Sequence, residues 1–107
     1  MTSSTSDPQV MTMLPTFESN DELLCPACGG NNLHHELVEV FEREEDAETG
    51  LHASVTAGVV TTDAVMVGNP SERSHGLVVH FWCESCEAKP RLTLAQHKGS
   101  SIVKMLK

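Results

Sequence analysis

At 107 residues, with three Phe, one Trp and no Tyr, the chain has room for one small domain whose core is short of large side chains. Its formal net charge of −8 argues against a general nucleic-acid binder, because a net anion is repelled by phosphate. No stretch approaches the ~18 consecutive apolar residues of a membrane-spanning helix, and a cytoplasmic protein is expected.

In chain order, residues 1–20 are rich in Ser and Thr, carry two prolines and show no sustained period. They read as a disordered tail, leaving residues 21–107 as the folded domain. Glu22-Leu23-Leu24 leads into Cys25-Pro26-Ala27-Cys28, which closes on a turn at Gly29-Gly30-Asn31-Asn32. Residues 33–41 favour extended backbone through Val38, Val40 and Phe41. Residues 42–50 form an acidic, solvated loop. Over residues 51–57, Leu51, Ala53, Val55 and Ala57 alternate with His52, Ser54 and Thr56, the period of a strand with one apolar face. Gly58 interrupts that strand, and residues 59–67 are again β-branched, with a bend at Thr62-Asp63.

Residues 68–76 are bounded by glycine but lack the Gly-Lys-Ser/Thr of a phosphate loop, so a hairpin connection is expected there. Residues 77–82 are the most strand-like run and end on Cys83-Glu84-Ser85-Cys86. Pro90 precedes a further strand at 91–97, a turn at Lys98-Gly99-Ser100 and a last hairpin strand at 102–106. The predicted fold is therefore all-β.

Every cysteine of the chain lies in one of the two Cys-x-x-Cys pairs. Two intervening residues let both sulfurs of a pair reach one ion at about 2.3 Å without straining the backbone. Cys25, Cys28, Cys83 and Cys86 are thus the expected ligands of one tetrahedral metal, Zn2+ in the first place, with iron possible on the same four sulfurs. A thioredoxin-like redox pair needs its Cys-x-x-Cys at a helix N-terminus, and neither pair has that setting.

Cys25-Pro26-Ala27-Cys28-Gly29 resembles the Cys-Pro-x-Cys-Gly knuckle of the zinc-ribbon family, and more loosely that of rubredoxin-like proteins. The order of hook, strands, hook and hairpin resembles the same family. The resemblance covers the hooks and adjoining strands, and the small free-standing members it suggests are bacterial or phage proteins. It implies antiparallel hairpins on a metal-clamped base. The span 29–82 exceeds a compact ribbon's spacer, so an inserted hairpin or an elaborated sheet is expected between the knuckles. The second hook departs from the pattern: Glu87 stands where glycine is usual. Either Glu87 takes a positive φ, at a cost of about 1 kcal/mol, or this hook turns differently.

Among the six histidines, His34 and His35 sit on opposite faces of a strand and cannot both chelate one ion. One of His34, His35 and His80 is expected to lie over a sulfur as a donor. Ser74-His75 has no orienting acid and no nucleophile turn, so no catalytic residue is assigned and a non-enzymatic role is expected. Charge is uneven: residues 1–72 hold thirteen acidic residues against Arg43 alone, and residues 73–107 hold six basic against two acidic. The expected role is an interaction module for a protein partner. The alternatives are a nucleic-acid-binding ribbon using basic residues 89–107 beside Phe81 and Trp82, and a rubredoxin-like electron carrier.

Overall fold

In the computed structural model, residues 22–107 are described, together with the backbone of Val10–Met11. All elements among them are strands: β1 (Val10–Met11), β2 (Leu33–Glu42), β3 (Leu51–Thr56), β4 (Val59–Asp63), β5 (Gly76–Cys83), β6 (Arg91–His97) and β7 (Ser100–Leu106). They form one antiparallel sheet in the order β1-β7-β6-β5-β2-β3-β4. The proposed tail lies outside the described residues, apart from Val10–Met11, which pair with Leu106 and Met105 of β7.

Two tight turns set the hairpin registers. Ala57 and Gly58 (φ 52° and 78°) join β3 to β4, and Lys98 and Gly99 (φ 51° and 84°) join β6 to β7. Positive φ at both central residues gives a turn whose twist matches that of the flanking strands. The β3–β4 hairpin is the expected insertion between the knuckles, and the acidic stretch before it is a loop whose turn is closed by Ala47 N–H donating to Glu44 O at 2.9 Å.

The β4–β5 connection differs from the expected hairpin. β5 pairs with β2 rather than β4, so residues 64–75 must travel back across β3 and β2. The pairing of Leu33 with Cys83 in this order brings the two Cys-x-x-Cys pairs together. Asp63 begins the crossing by accepting the Val65 N–H at 2.9 Å, a local turn that ends β4 at the expected bend.

The crossing segment covers one face of the sheet. Beneath it lies Phe41, fully buried, close enough that a side-chain carbon added at Gly68 would sit 3.8 Å from its ring. Ser71, itself buried, donates its hydroxyl to Gln96 O at 2.8 Å and accepts the Ser74 N–H at 2.9 Å. Arg43 Nη2 donates to Ser71 O at 3.0 Å, and Arg73 clasps Asp46 with Nε and Nη2, at 2.5 and 2.8 Å, tying the acidic loop to the same segment.

The register places unlike residues on the two faces. One rung of the covered face runs Thr61, Ser54, Glu39, Val78, Thr93, Lys104. On the opposite face, one rung runs Val60, Val55, Val38, Val79, Leu92, Met105, and the next runs Thr62, Ala53, Val40, Leu77, Leu94, Val103. The apolar alternation of β3 thus points to the second face. That face is open at its β2–β4 end, where Val40, Val55 and Val60 are 36%, 46% and 65% exposed.

Candidate metal centre

The two hooks fold into the same turn. Cys25 N–H donates to Gly30 O and Gly29 N–H donates back to Cys25 O, both at 2.8 Å. In the second hook Cys83 N–H donates to Ala88 O and Glu87 N–H to Cys83 O, both at 2.9 Å. Gly29 has φ 80° and Glu87, at the equivalent place, φ 63°. Glu87 therefore adopts the glycine conformation rather than a different turn, at a strain of about 1 kcal/mol. At Gly30, a side-chain carbon would press on Ser85 Oγ (3.1 Å) and Cys28 Sγ (3.3 Å), so the absence of a side chain lets the knuckles approach.

Strand pairing sets the knuckles face to face. Leu33 opposite Cys83, and Glu84 N–H donating to Asn32 O at 3.1 Å, fix their separation. Cys25 Sγ lies 3.8 Å from Cys86 Sγ, and Cys28 Sγ lies 3.7 Å from Cys83 Sγ. All four sulfurs fall within 4.8 Å of one another, and none is in a disulfide. Four sulfurs at 2.3 Å from a central ion form a tetrahedron with edges of about 3.8 Å, so the donor set fits one tetrahedral metal. Among the described residues this is the one cluster of His, Cys, Asp and Glu that could hold a metal ion.

The backbone prepares the sulfurs for charge. Ala27 N–H points at Cys25 Sγ and Gly30 N–H at Cys28 Sγ, each at 3.4 Å. Burial would raise the Cys83 thiol, but the N–H groups of Cys86 and Ser85 outweigh it and bring it down to about 7. At Cys86 the Ala88 N–H pulls downward, yet burial and the sulfurs of Cys28, Cys83 and Cys25 push the thiol up to about 12. Four thiolates this close repel one another, and a dication relieves that repulsion. Cys25 and Cys83 are buried while Cys28 and Cys86 face solvent, so the centre sits at the sheet's end with one side open.

The histidines take other partners than the expected sulfur. His34 stacks on Trp82 with ring centroids 4.6 Å apart and reaches Glu84 at 2.7 Å. His80 Nε2 meets Glu39 Oε1 at 2.7 Å. Apart from the neighbouring thiols, the sulfur donors found among the described residues are backbone N–H groups. His34 is turned away by strand alternation, which places it on the Trp82 face while Cys83 occupies the other. The same alternation separates Phe81 from Trp82, so they do not form one stacking platform. Of the basic residues, Arg73 is held by Asp46, and Lys89 lies 3.7 Å from Glu36.

A second polar cluster spans the covered face. His52 Nδ1 meets Asp63 Oδ1 at 2.8 Å, its Nε2 meets Glu39 Oε2 at 3.0 Å, and its ring stacks on Phe41 at 4.5 Å. Alternation in β3 signals that His52 shares a face with Phe41, but only the register brings Glu39 and Asp63 to either side. Burial opposes protonation of His52, but the two carboxylates outweigh it and hold its pKa above 6.5. A raised folded-state pKa means that this stabilisation is complete below pH 6.5 and is lost as pH rises through the folded value. His52→Gln should remove that part of the fall in urea midpoint between pH 6 and pH 8. An unchanged pH dependence in the variant would show that the cluster carries no charge linkage.

The fold and centre define an all-β protein with a four-cysteine metal-binding site. No helix among the described residues is long and apolar enough to cross a membrane. No family model matches the chain, and neither a curated protein nor a solved structure matches it.

Proposed function

We propose that this chain is a non-enzymatic interaction module of zinc-ribbon type, in which Cys25, Cys28, Cys83 and Cys86 hold Zn2+ as a folding clamp and the sheet engages a protein partner. The observation that carries the reading is the set of sulfur separations, 3.7 and 3.8 Å, at the junction of the two strands that deliver the knuckles. A bound zinc with four thiolates has no position left for water or substrate, so it supplies cohesion rather than Lewis acidity. Cys83 ends β5, Cys86 follows in the turn after it, and Cys25 and Cys28 precede β2, so the ion would lock the central strand pair on which the hairpins are built. The formal net charge of −8 supports a protein partner over nucleic acid, and of the basic residues in 89–107 Lys89 lies beside a carboxylate, that of Glu36.

Metal analysis with visible spectroscopy tests the first half: about one zinc per chain and a colourless sample are expected. A red, iron-containing protein would overturn the clamp reading in favour of an electron carrier. Binding to single- and double-stranded nucleic acid tests the second half. Retention at low ionic strength that falls steeply with added salt would replace the protein partner with a nucleic acid.

A further inference from the structure

We infer that the cavity beside Trp82 takes an arginine side chain from a basic segment of the protein partner, with the guanidinium on the indole among the carboxylates of Glu36, Glu84 and Glu87. This deepens the proposed function by naming the partner's chemistry, and it rests on the reading of the chain as a binding module. The cavity opens to solvent at the knuckle end of β5 and measures about 460 Å³. That lies within the ~300–1,000 Å³ usual for a binding site.

Three local features assemble it. Trp82 pairs with His34 of β2 and the two rings stack at 4.6 Å, which leaves the rest of the indole, 37% exposed, to line the cavity. The register shifts between His35 and Leu37, so Glu36 is the extra residue of a bulge, and its side chain joins the lining. On the other side of β5, Phe81 N–H donates to Pro90 O and Cys83 N–H to Ala88 O, both at 2.9 Å, which sets Lys89 beside Trp82. Glu84 and Glu87 complete the wall from the second knuckle.

The chemistry of the lining selects a cation. It carries three carboxylates against one ammonium. Glu84 meets His34 at 2.7 Å and Glu36 lies 3.7 Å from Lys89, while the Glu87 carboxylate has no partner among the described residues. An exposed indole beside carboxylates attracts a cation through its ring quadrupole and through their charge together. Guanidinium suits the place better than ammonium, because it is flat, weakly hydrated and able to fork onto a carboxylate. A phosphate or carboxylate would be repelled. Lys89, with its side chain 71% exposed, is the chain's own competitor, which an arriving arginine would displace from Glu36.

Trp82 is the chain's one tryptophan, so its emission reads the cavity directly. The probe is a blocked Gly-Gly-Arg-Gly-Gly peptide, titrated into the full-length, zinc-loaded chain beside the same peptide with citrulline, which keeps the shape and loses the charge. The arginine peptide should change the emission with half-saturation on the order of 0.5 mM at low salt, and the citrulline peptide should bind at least about fivefold more weakly. By calorimetry, Glu87→Gln, at an exposed position, should keep the parent's circular dichroism and weaken the arginine peptide at least about threefold. Lys89→Gln should strengthen it. No response up to ~5 mM arginine peptide, an equal response to citrulline, or an affinity indifferent to Glu87→Gln would overturn the inference. Spermidine binding as tightly as the peptide would assign the cavity to free polyamines and overturn it as well. Zinc content and retention on nucleic acid, measured on the same preparation, separate that failure from failure of the module reading. A zinc-loaded chain that ignores both the peptide and nucleic acid loses the arginine cavity and keeps the clamp.

Discussion

Chelation of the metal is expected to unfold this protein, and Cys83→Ser is expected to do the same. Among the described residues the buried hydrophobic ones are Phe41, Val78 and Met105 together with Cys25 and Cys83, so two of these five belong to the candidate metal site. A sheet with so thin a buried layer gains little from apolar burial alone. Structural zinc on thiolates contributes about 10–16 kcal/mol at neutral pH, comparable with or larger than the ~5–15 kcal/mol net stability of an ordinary domain. The neighbouring sulfurs of Cys28, Cys83 and Cys25, with burial, push the Cys86 thiol up, which is the crowding that a bound cation would relieve. Thermal melts followed by circular dichroism, before and after a strong chelator, read the effect directly. The cooperative transition should vanish and return on addition of zinc. A chelated protein melting cooperatively at the same midpoint would refute the clamp.

The second large effect is expected at Phe41. Its ring is fully buried between His52, stacked at 4.5 Å, and the crossing segment at Gly68. Phe41→Ala should cost about 3–5 kcal/mol, the usual range for deleting a buried aromatic ring. In a domain this small such a loss approaches the whole of its stability. Phe41→Leu should retain part of the contact and cost less. Urea midpoints of the two variants, compared with Val40→Thr on the partly exposed opposite face, would show the effect. Equal midpoints for Phe41→Ala and Val40→Thr would mean that residues 64–75 do not form a packed layer.

The candidate metal site was legible in the chain because a Cys-x-x-Cys pair is a local chelator whose geometry depends on two intervening residues. Glu87 illustrates how far local reasoning reaches. Its position in the knuckle posed a choice between positive φ and a different turn, and the long-range pairing of Leu33 with Cys83 goes with the first. The β3–β4 hairpin and the β6–β7 hairpin were also readable, since glycine after a short alternating run marks a tight turn. Residues 64–75 were not. A connection containing Gly68, Asn69 and Pro70 looks the same in sequence whether it joins neighbouring strands or crosses a sheet.

By itself, then, the sequence determined the all-β character and the two cysteine pairs that form the candidate metal site, because alternation and chelate spacing act over a few residues. Only the tertiary structure decided the strand order, the crossing segment, the His52 cluster and the partners of His34 and His80. Each of those depends on which strands become neighbours, and that is decided by contacts between residues far apart in the chain. The same selection decides which face is covered. The crossing segment takes the face of Phe41 and Glu39, and the rungs of valine and leucine lie on the other face, exposed at its β2–β4 end.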